Sequence, residues 1–232
     1  MDLERPFRIW LDWLLPPRCG GCGVLGTWLC PRCRAAIRPL QGPLCERCGR
    51  ELEFAGAGCG CRRHLRALSR LRSAARYEGP LERAIHRFKY EGWRELGPAL
   101  AELLVEPGRD SPPGSWVVAV PLHPARRRRR GYDQAELLAR GLRRRRRLPA
   151  PPGRLARVRD TPPQVGQDRL RRRSNVAGAF VWRGAPLSGE PVVVVDDVAT
   201  TGATLEACAR ALRAAGAGSV HGLTVARVSE RP

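Results

Sequence analysis

The sequence predicts an α/β fold, a parallel sheet flanked by helices, preceded by a small metal-bound module. Three observations carry this expectation. Eight of the nine cysteines crowd into residues 19–61. Continuous apolar runs recur at WVVAVPL (116–122) and VVVVD (192–196), with a strand-like SVHGLTVARV (219–228) after them. Segments of helical spacing stand between and after these runs, the alternation of an open α/β sheet.

The cysteines form Cys19-x2-Cys22, Cys30-x2-Cys33, Cys45-x2-Cys48 and Cys59-x-Cys61. A C-x2-C pair aims two thiolates at one ion from a tight knuckle whose amides can donate to sulfur. Gly20, Gly21, Gly23 and Gly49 suit such knuckles. The rival reading is a disulfide framework. The first segment, MDLERPFRIWLDWLLPP, carries Asp2, Glu4 and Asp12 and does not read as a secretory signal, so reduced thiols and a cytoplasmic location are the expectation. Eight thiolates suffice for one or two tetrahedral zinc ions, coordinatively closed and therefore structural. The pairing can run sequentially or interleave, and spacing does not decide. Cys59-x-Cys61 is the unusual knuckle, with His64 as a substitute ligand should Cys59 not bind. So short a module cannot build its own core, and metal binding is expected to supply much of its folding free energy. Ahead of it, Trp10, Trp13 and Leu14 suit a short amphipathic helix docked on the protein's own surface.

The expected boundaries are 1–65 for the zinc module with its amino-terminal helix and 66–232 for the second domain, divided into a helical lead-in, 66–110, and a sheet core, 116–232. Residues 62–107 read as helical, with Leu81, Ala84, Ile85 and Phe88, then Leu96, Leu100, Leu103 and Leu104 at helical spacing. GRDSPPGS breaks the pattern. The runs 116–122 and 192–196 look like buried parallel strands. Helical patterns follow at 134–142 and at Leu205, Cys208, Ala209 and Leu212, with a stop at Gly216.

In such a sheet, ligands bind beyond the carboxyl ends of the strands. There the sequence places Asp196 and Asp197, then Ala199, Thr200, Thr201, Gly202, Ala203 and Thr204. Adjacent carboxylates can accept hydrogen bonds from vicinal ribose hydroxyls, while the Thr/Gly loop and its amides at a helix start can cradle a phosphate. A sugar phosphate fits both halves. The bland alternative is a chance acidic pair before an Asp-capped helix.

The string VVVVDDVATTGATL (192–205) resembles the phosphoribosyl pyrophosphate signature of type I phosphoribosyltransferases. More widely, the chain resembles the ComF family, whose members join a double zinc ribbon to this domain and include a competence protein needed for DNA uptake. HRFKYEGW (86–93), VPLHPARRRRRGYDQAELLA (120–139) and TPPQVGQDRLRRRSNVAGAF (161–180) support it, as does the cysteine array. The resemblance implies the type I phosphoribosyltransferase fold, with Asp196 and Asp197 on the ribose and the Thr/Gly loop on the 5'-phosphate. It also implies pyrophosphate binding by the loop holding Arg130 and Gly131, with Tyr132, Asp133 and Gln134 completing the family run. Asp133 departs from the usual Asn; it suits a helix cap, but would repel a pyrophosphate unless magnesium intervened. Gln164, Arg172 and Asn175 would lie in the flap that closes over substrate, Arg-rich here where the family often carries an acid.

The formal charge is +20, from 42 basic and 22 acidic residues, which points to a polyanionic partner, most simply nucleic acid. Nearly all the basic residues are arginine, so codon bias contributes to the choice of Arg over Lys. The runs 126–130 and 171–173 border the expected site; the run 143–147 reads equally well as a solvated helix end. Aromatics, at 6%, are too few for a base-stacking platform, and Trp93 and Trp182 read as core. His123 reads as a surface or supporting group near the pyrophosphate loop, the lone lysine, Lys89, is placed to reach a phosphate, and Cys208 has core spacing. Three functions follow. The first is a ComF-like protein binding phosphoribosyl pyrophosphate with magnesium and handling single-stranded DNA in uptake or a related process. The second is a working transferase, in which pyrophosphate leaves the ribose anomeric carbon and a nitrogen nucleophile enters through a cationic transition state. The third is a scaffold whose zinc ribbons dock a helicase-like or uptake-channel protein.

Overall fold

The computed structural model describes residues 16–159 and 178–228. The expected amino-terminal helix and the flap segment with Gln164, Arg172 and Asn175 lie outside the described residues. Strands are β1 (Arg70–Arg76), β2 (Trp116–Ala119), β3 (Gly153–Arg157), β4 (Phe180–Gly184), β5 (Pro191–Ala199) and β6 (Ser219–Arg227). Helices are α1 (Pro31–Ala35), α2 (Gly79–Tyr90), α3 (Gly97–Leu103), α4 (Pro124–Arg130), α5 (Gln134–Arg146) and α6 (Ala203–Ala214).

A four-stranded sheet in the order β1-β6-β5-β2 is parallel throughout. Its centre is the valine run, buried on both faces as a parallel strand between helical layers must be. Alternation divides that run. Val192 and Val194 face one core with Leu205, Cys208 and Leu212 of α6, whereas Val193 and Val195 face a second core with Ile85 and Phe88 of α2, Leu100 of α3 and Leu138 and Leu142 of α5. The result is the layered α/β architecture expected. A separate antiparallel pair, β3 and β4, packs on the α6 side through Leu155 and Phe180.

One expectation is corrected. Residues 70–76 form an edge strand within the stretch read as continuously helical. Leu71, Ser73 and Ala75 alternate inward, and Ser73 meets Thr224 of β6 through a 2.6 Å hydroxyl pair. Arginines on the other face and small residues on the buried one leave too faint an apolar alternation to read, so tertiary pairing rather than local preference makes this strand.

The cysteine module is strapped onto this domain by arginines. Arg87 of α2 donates to the carbonyls of Cys19 and Gly20 at 3.0 and 2.9 Å, and Arg83 to that of Gly21 at 2.6 Å. Farther along, Arg227 at the end of β6 donates to the Cys48 carbonyl at 2.7 Å, while the Leu71 amide donates to the Arg47 carbonyl at 2.7 Å.

Candidate functional site

Asp196 and Asp197 lie in the carboxyl-terminal part of β5, which runs on to Ala199, and Thr200, Thr201 and Gly202 turn the chain into α6. Gly202 has φ +82°, a left-handed conformation that glycine adopts without strain, and a Cβ there would lie 3.4 Å from Leu65 and Leu71. The Thr201 hydroxyl accepts from the Ala203 amide at 3.3 Å. Beyond the two acids lies a cavity of about 200 Å³, lined among others by Lys89, Arg130, Gln134, Asp196, Asp197 and Thr204.

Lys89, in the last turn of α2, places its ammonium 2.7 Å from Asp197. Burial works against that charge, and Asp197 more than offsets it, so the lysine is held protonated. Asp196 is pushed the other way. Burial, and then the charge of Asp197, raise its carboxyl to about 8, although Lys89 and a 2.8 Å bond from the Asp197 amide pull it down. Also in the lining, Arg130 lies over the Tyr90 ring, its guanidinium carbon 5.1 Å from the centroid, and Gln134 is buried with no partner for its side-chain nitrogen among the described residues. The cavity thus combines two acids, four cations (Lys89, Arg126, Arg130 and Arg157) and an unpaired amide donor, a set that suits a polyhydroxylated anion.

The loop between α4 and α5 is held by hydrogen bonds. Asp133 caps α5, its carboxylate accepting from the amides of Glu136 at 3.2 Å and Leu122 at 3.1 Å. The acid that replaces the expected Asn is therefore occupied by backbone donors; burial raises its carboxyl and those two amides partly offset the rise. Tyr132 donates its hydroxyl to the Phe88 carbonyl, bracing this loop against the helix that carries Lys89. His123 caps α4, accepting from the Ala125 amide at 3.4 Å.

The eight cysteines gather into two clusters, Cys19, Cys22, Cys30 and Cys33, and Cys45, Cys48, Cys59 and Cys61. The pairing is sequential, and Cys59, the least regular ligand by spacing, joins its cluster. Four thiolates about 2.3 Å from one zinc ion stand about 3.8 Å apart. The sulfurs of Cys22 and Cys30, of Cys45 and Cys61, and of Cys48 and Cys59 are 3.6, 3.6 and 3.7 Å apart, with Cys45 and Cys59 closer at 3.1 Å, and all four of each cluster lie within 4.8 Å of one another, so the donor set fits a closed structural zinc site in each cluster once Cys45 and Cys59 part slightly around the ion. Amides support it: Cys30 donates to the Cys19 sulfur at 3.3 Å. At Cys19 burial acts to raise the thiol, but the amides of Cys30, Cys22 and Gly21 prevail and lower it to about 6, readying a thiolate for metal.

Comparison with known proteins matches residues 10–64 to the Double zinc ribbon domain and residues 159–232 to the Phosphoribosyl transferase domain. Competence protein F of Haemophilus influenzae is 31% identical over 90% of this chain and 94% of its own length. The DNA utilization protein YhgH of Escherichia coli K12 is 32% identical over 89% and 95% respectively. Competence protein ComFC of Bacillus subtilis is 28% identical over 86% and 84%. The chain belongs to the ComF family.

Within this ComF chain the geometry sorts the expected residues. Asp196, Asp197, Thr204 and Arg130 share the cavity, whereas Ala199, Thr200, Thr201, Gly202 and Ala203 form the turn beside it and Gly131 ends α4 with φ +79°. Lys89 sits on a carboxylate within that lining. Gln134 matched the family run, but its orphaned amide appears only in three dimensions. Cys208 is fully buried, and burial holds its thiol well above the usual range, as expected of a core residue. The two described arginine runs diverge. Arg143, Arg145 and Arg146 donate to the carbonyls of Val117, Pro98 and Gly108, tying α5 to its neighbours, whereas α4 carries its run with no buried residue. Among the described residues no helix is long and apolar enough to cross a membrane.

Proposed function

We propose that this ComF chain binds phosphoribosyl pyrophosphate at the end of β5 and uses that site while handling single-stranded DNA in the cytoplasm, in uptake or a related process. The observation that carries the reading is the adjacent pair Asp196 and Asp197 beside the Thr/Gly turn, in a cavity that also presents Lys89, Arg130 and the unpaired Gln134 donor. The carboxylates would accept from the ribose hydroxyls, the turn and Thr204 would take the 5'-phosphate, and Arg130, Gln134 and Lys89 would face the pyrophosphate. Oxygen donors such as this acidic pair are the chemistry magnesium prefers, and magnesium bound with the ligand would neutralise part of the pyrophosphate charge. The names of the relatives, a competence protein and a DNA utilization protein, support the DNA role, as does the charge of +20.

Calorimetric titration with phosphoribosyl pyrophosphate and magnesium tests the site. Binding by the wild type, abolished in Asp196→Asn/Asp197→Asn and weakened in Thr204→Val, is the expected result. No heat from zinc-loaded, folded wild type at millimolar ligand would overturn it. Pyrophosphate release with a panel of nitrogen bases would extend the reading to group transfer.

A further inference from the structure

A second concavity, of about 510 Å³, lies between α4, α5 and the β3–β4 pair. It opens beside the sugar-phosphate cavity, and the two share Pro121, Leu122 and Arg157. Arginines enter it from four elements: Arg127 from α4, Arg140 and Arg143 from α5, Arg154 from β3 and Arg183 from β4.

The acids within it are already engaged. Glu136 lies 2.9 Å from Arg143 and 4.0 Å from Arg140, and Asp133 is held by two backbone amides. The concavity therefore keeps an excess of positive charge. Its most telling feature is the register of the short strands, in which Arg154 stands directly opposite Arg183. Like charges so placed destabilise a two-stranded ladder. Both side chains are exposed, and the face they share with Ala156 and Val181 is turned away from Leu155 and Phe180, so packing does not require arginine at either position.

We infer that this arginine-lined groove is the seat of a single-stranded nucleic acid, held through its phosphodiester backbone by Arg127, Arg140, Arg154 and Arg183 and leading to the mouth of the sugar-phosphate cavity. The inference rests on the nucleic-acid role proposed above and assigns it a place. Three opposed banks of arginine match a chain of regularly spaced anions. A duplex is too broad to enter a concavity of this size. The lining offers proline, leucine and valine rather than stacked aromatics, so recognition is by backbone and is indifferent to sequence.

The test is fluorescence anisotropy of a labelled oligothymidylate over a salt series, comparing full-length wild type with Arg140→Gln/Arg154→Gln/Arg183→Gln. Arg66→Gln/Arg109→Gln/Arg144→Gln removes the same charge elsewhere. Each single-strand phosphate contact contributes about 0.7 to the slope of log affinity against log salt, so the groove variant is expected to lose about 2 from that slope and to bind about tenfold or more weakly at low salt. Its melting temperature should equal or exceed that of the wild type, because an opposed like-charge pair has been removed. The control should keep its slope within experimental scatter. A groove variant that binds like the wild type, a control that loses as much, or a blunt duplex that binds as tightly as the single strand would each overturn the assignment. A wild type that binds no oligonucleotide would instead sink the nucleic-acid role itself, leaving the titration with phosphoribosyl pyrophosphate unaffected.

Discussion

The cysteine module and the cavity at the end of β5 solve the same problem in different ways. Each gathers groups that repel one another, thiolates in one case and carboxylates in the other. The module, made largely of turns with one five-residue helix, has little core beyond its cysteines and Leu29 and Leu65, so the expected metal must do the gathering. The acids instead stand on a strand whose four preceding residues are fully enclosed, and a lysine from another helix offsets their charge. Local order should therefore depend on an ion in the first region and on tertiary packing in the second.

Chelation should separate the two most sharply. Structural zinc contributes about 10–16 kcal/mol in isolated finger peptides, so its removal should unfold residues 16–65 while the parallel sheet persists. Thiol titration should then count eight reactive cysteines, with Cys208 unreactive until the sheet unfolds. Hydrogen exchange should lose protection in the module alone. If β5 and β6 lose protection in step with it, the regions form one cooperative unit and the contrast fails.

Lys89→Met probes the other side. The pair is largely enclosed, with side-chain exposures of 19% for Lys89 and 10% for Asp197, and breaking such a pair by removing one partner costs about 3–5 kcal/mol. The loss should appear in the denaturation midpoint, and added magnesium should restore part of it by taking the place of the ammonium. A variant as stable as the wild type would mean that water, rather than Lys89, satisfies Asp197.

Arg227→Met tests the joint between the regions, with a smaller effect. This arginine is 2% exposed, donates to the Cys48 carbonyl and leaves its Nε without a partner among the described residues, so it can also face the negative charge of the thiolates of the second cluster. Losing a hydrogen bond from a charged donor costs about 1.5–3 kcal/mol. Zinc should leave the second cluster faster than the first, giving two phases with a colorimetric chelator where the wild type gives more nearly one.

The sequence made these regions legible to different depths. The cysteine spacing revealed the metal chemistry, but whether the pairs combine in order depends on chain reversals that spacing does not encode. The valine run and the acids after it announced a buried strand and its ligand end, because burial on both faces demands unbroken apolar residues. Strand β1 was hidden by arginines on one face and small residues on the other, and β3 and β4 by arginines where a strand normally shows apolar alternation. Nor could Lys89 be placed on Asp197, since helix and strand meet only through the packing of Ile85 and Phe88 against Val193 and Val195.

The subtlest difference between the regions is in their response to pH. Burial and the neighbouring Asp197 charge raise Asp196 from 3.8 to about 8, so between those values the folded protein holds a proton that the unfolded chain has released. Where the folded state binds more protons, stability falls as pH rises. This group therefore lowers the stability of the wild type progressively across that window, and the loss is complete above it. Asp196→Asn does not titrate. Its melting temperature, measured by differential scanning fluorimetry without ligand, should gain on the wild type as pH rises through the window and stay level beyond about 8. A gap that does not change with pH would show Asp196 ionised throughout, with Lys89 and the Asp197 amide sufficient for both acids. The cavity would then already hold the charge needed to accept ribose hydroxyls, and binding of the sugar phosphate would take up or release no proton at this carboxyl.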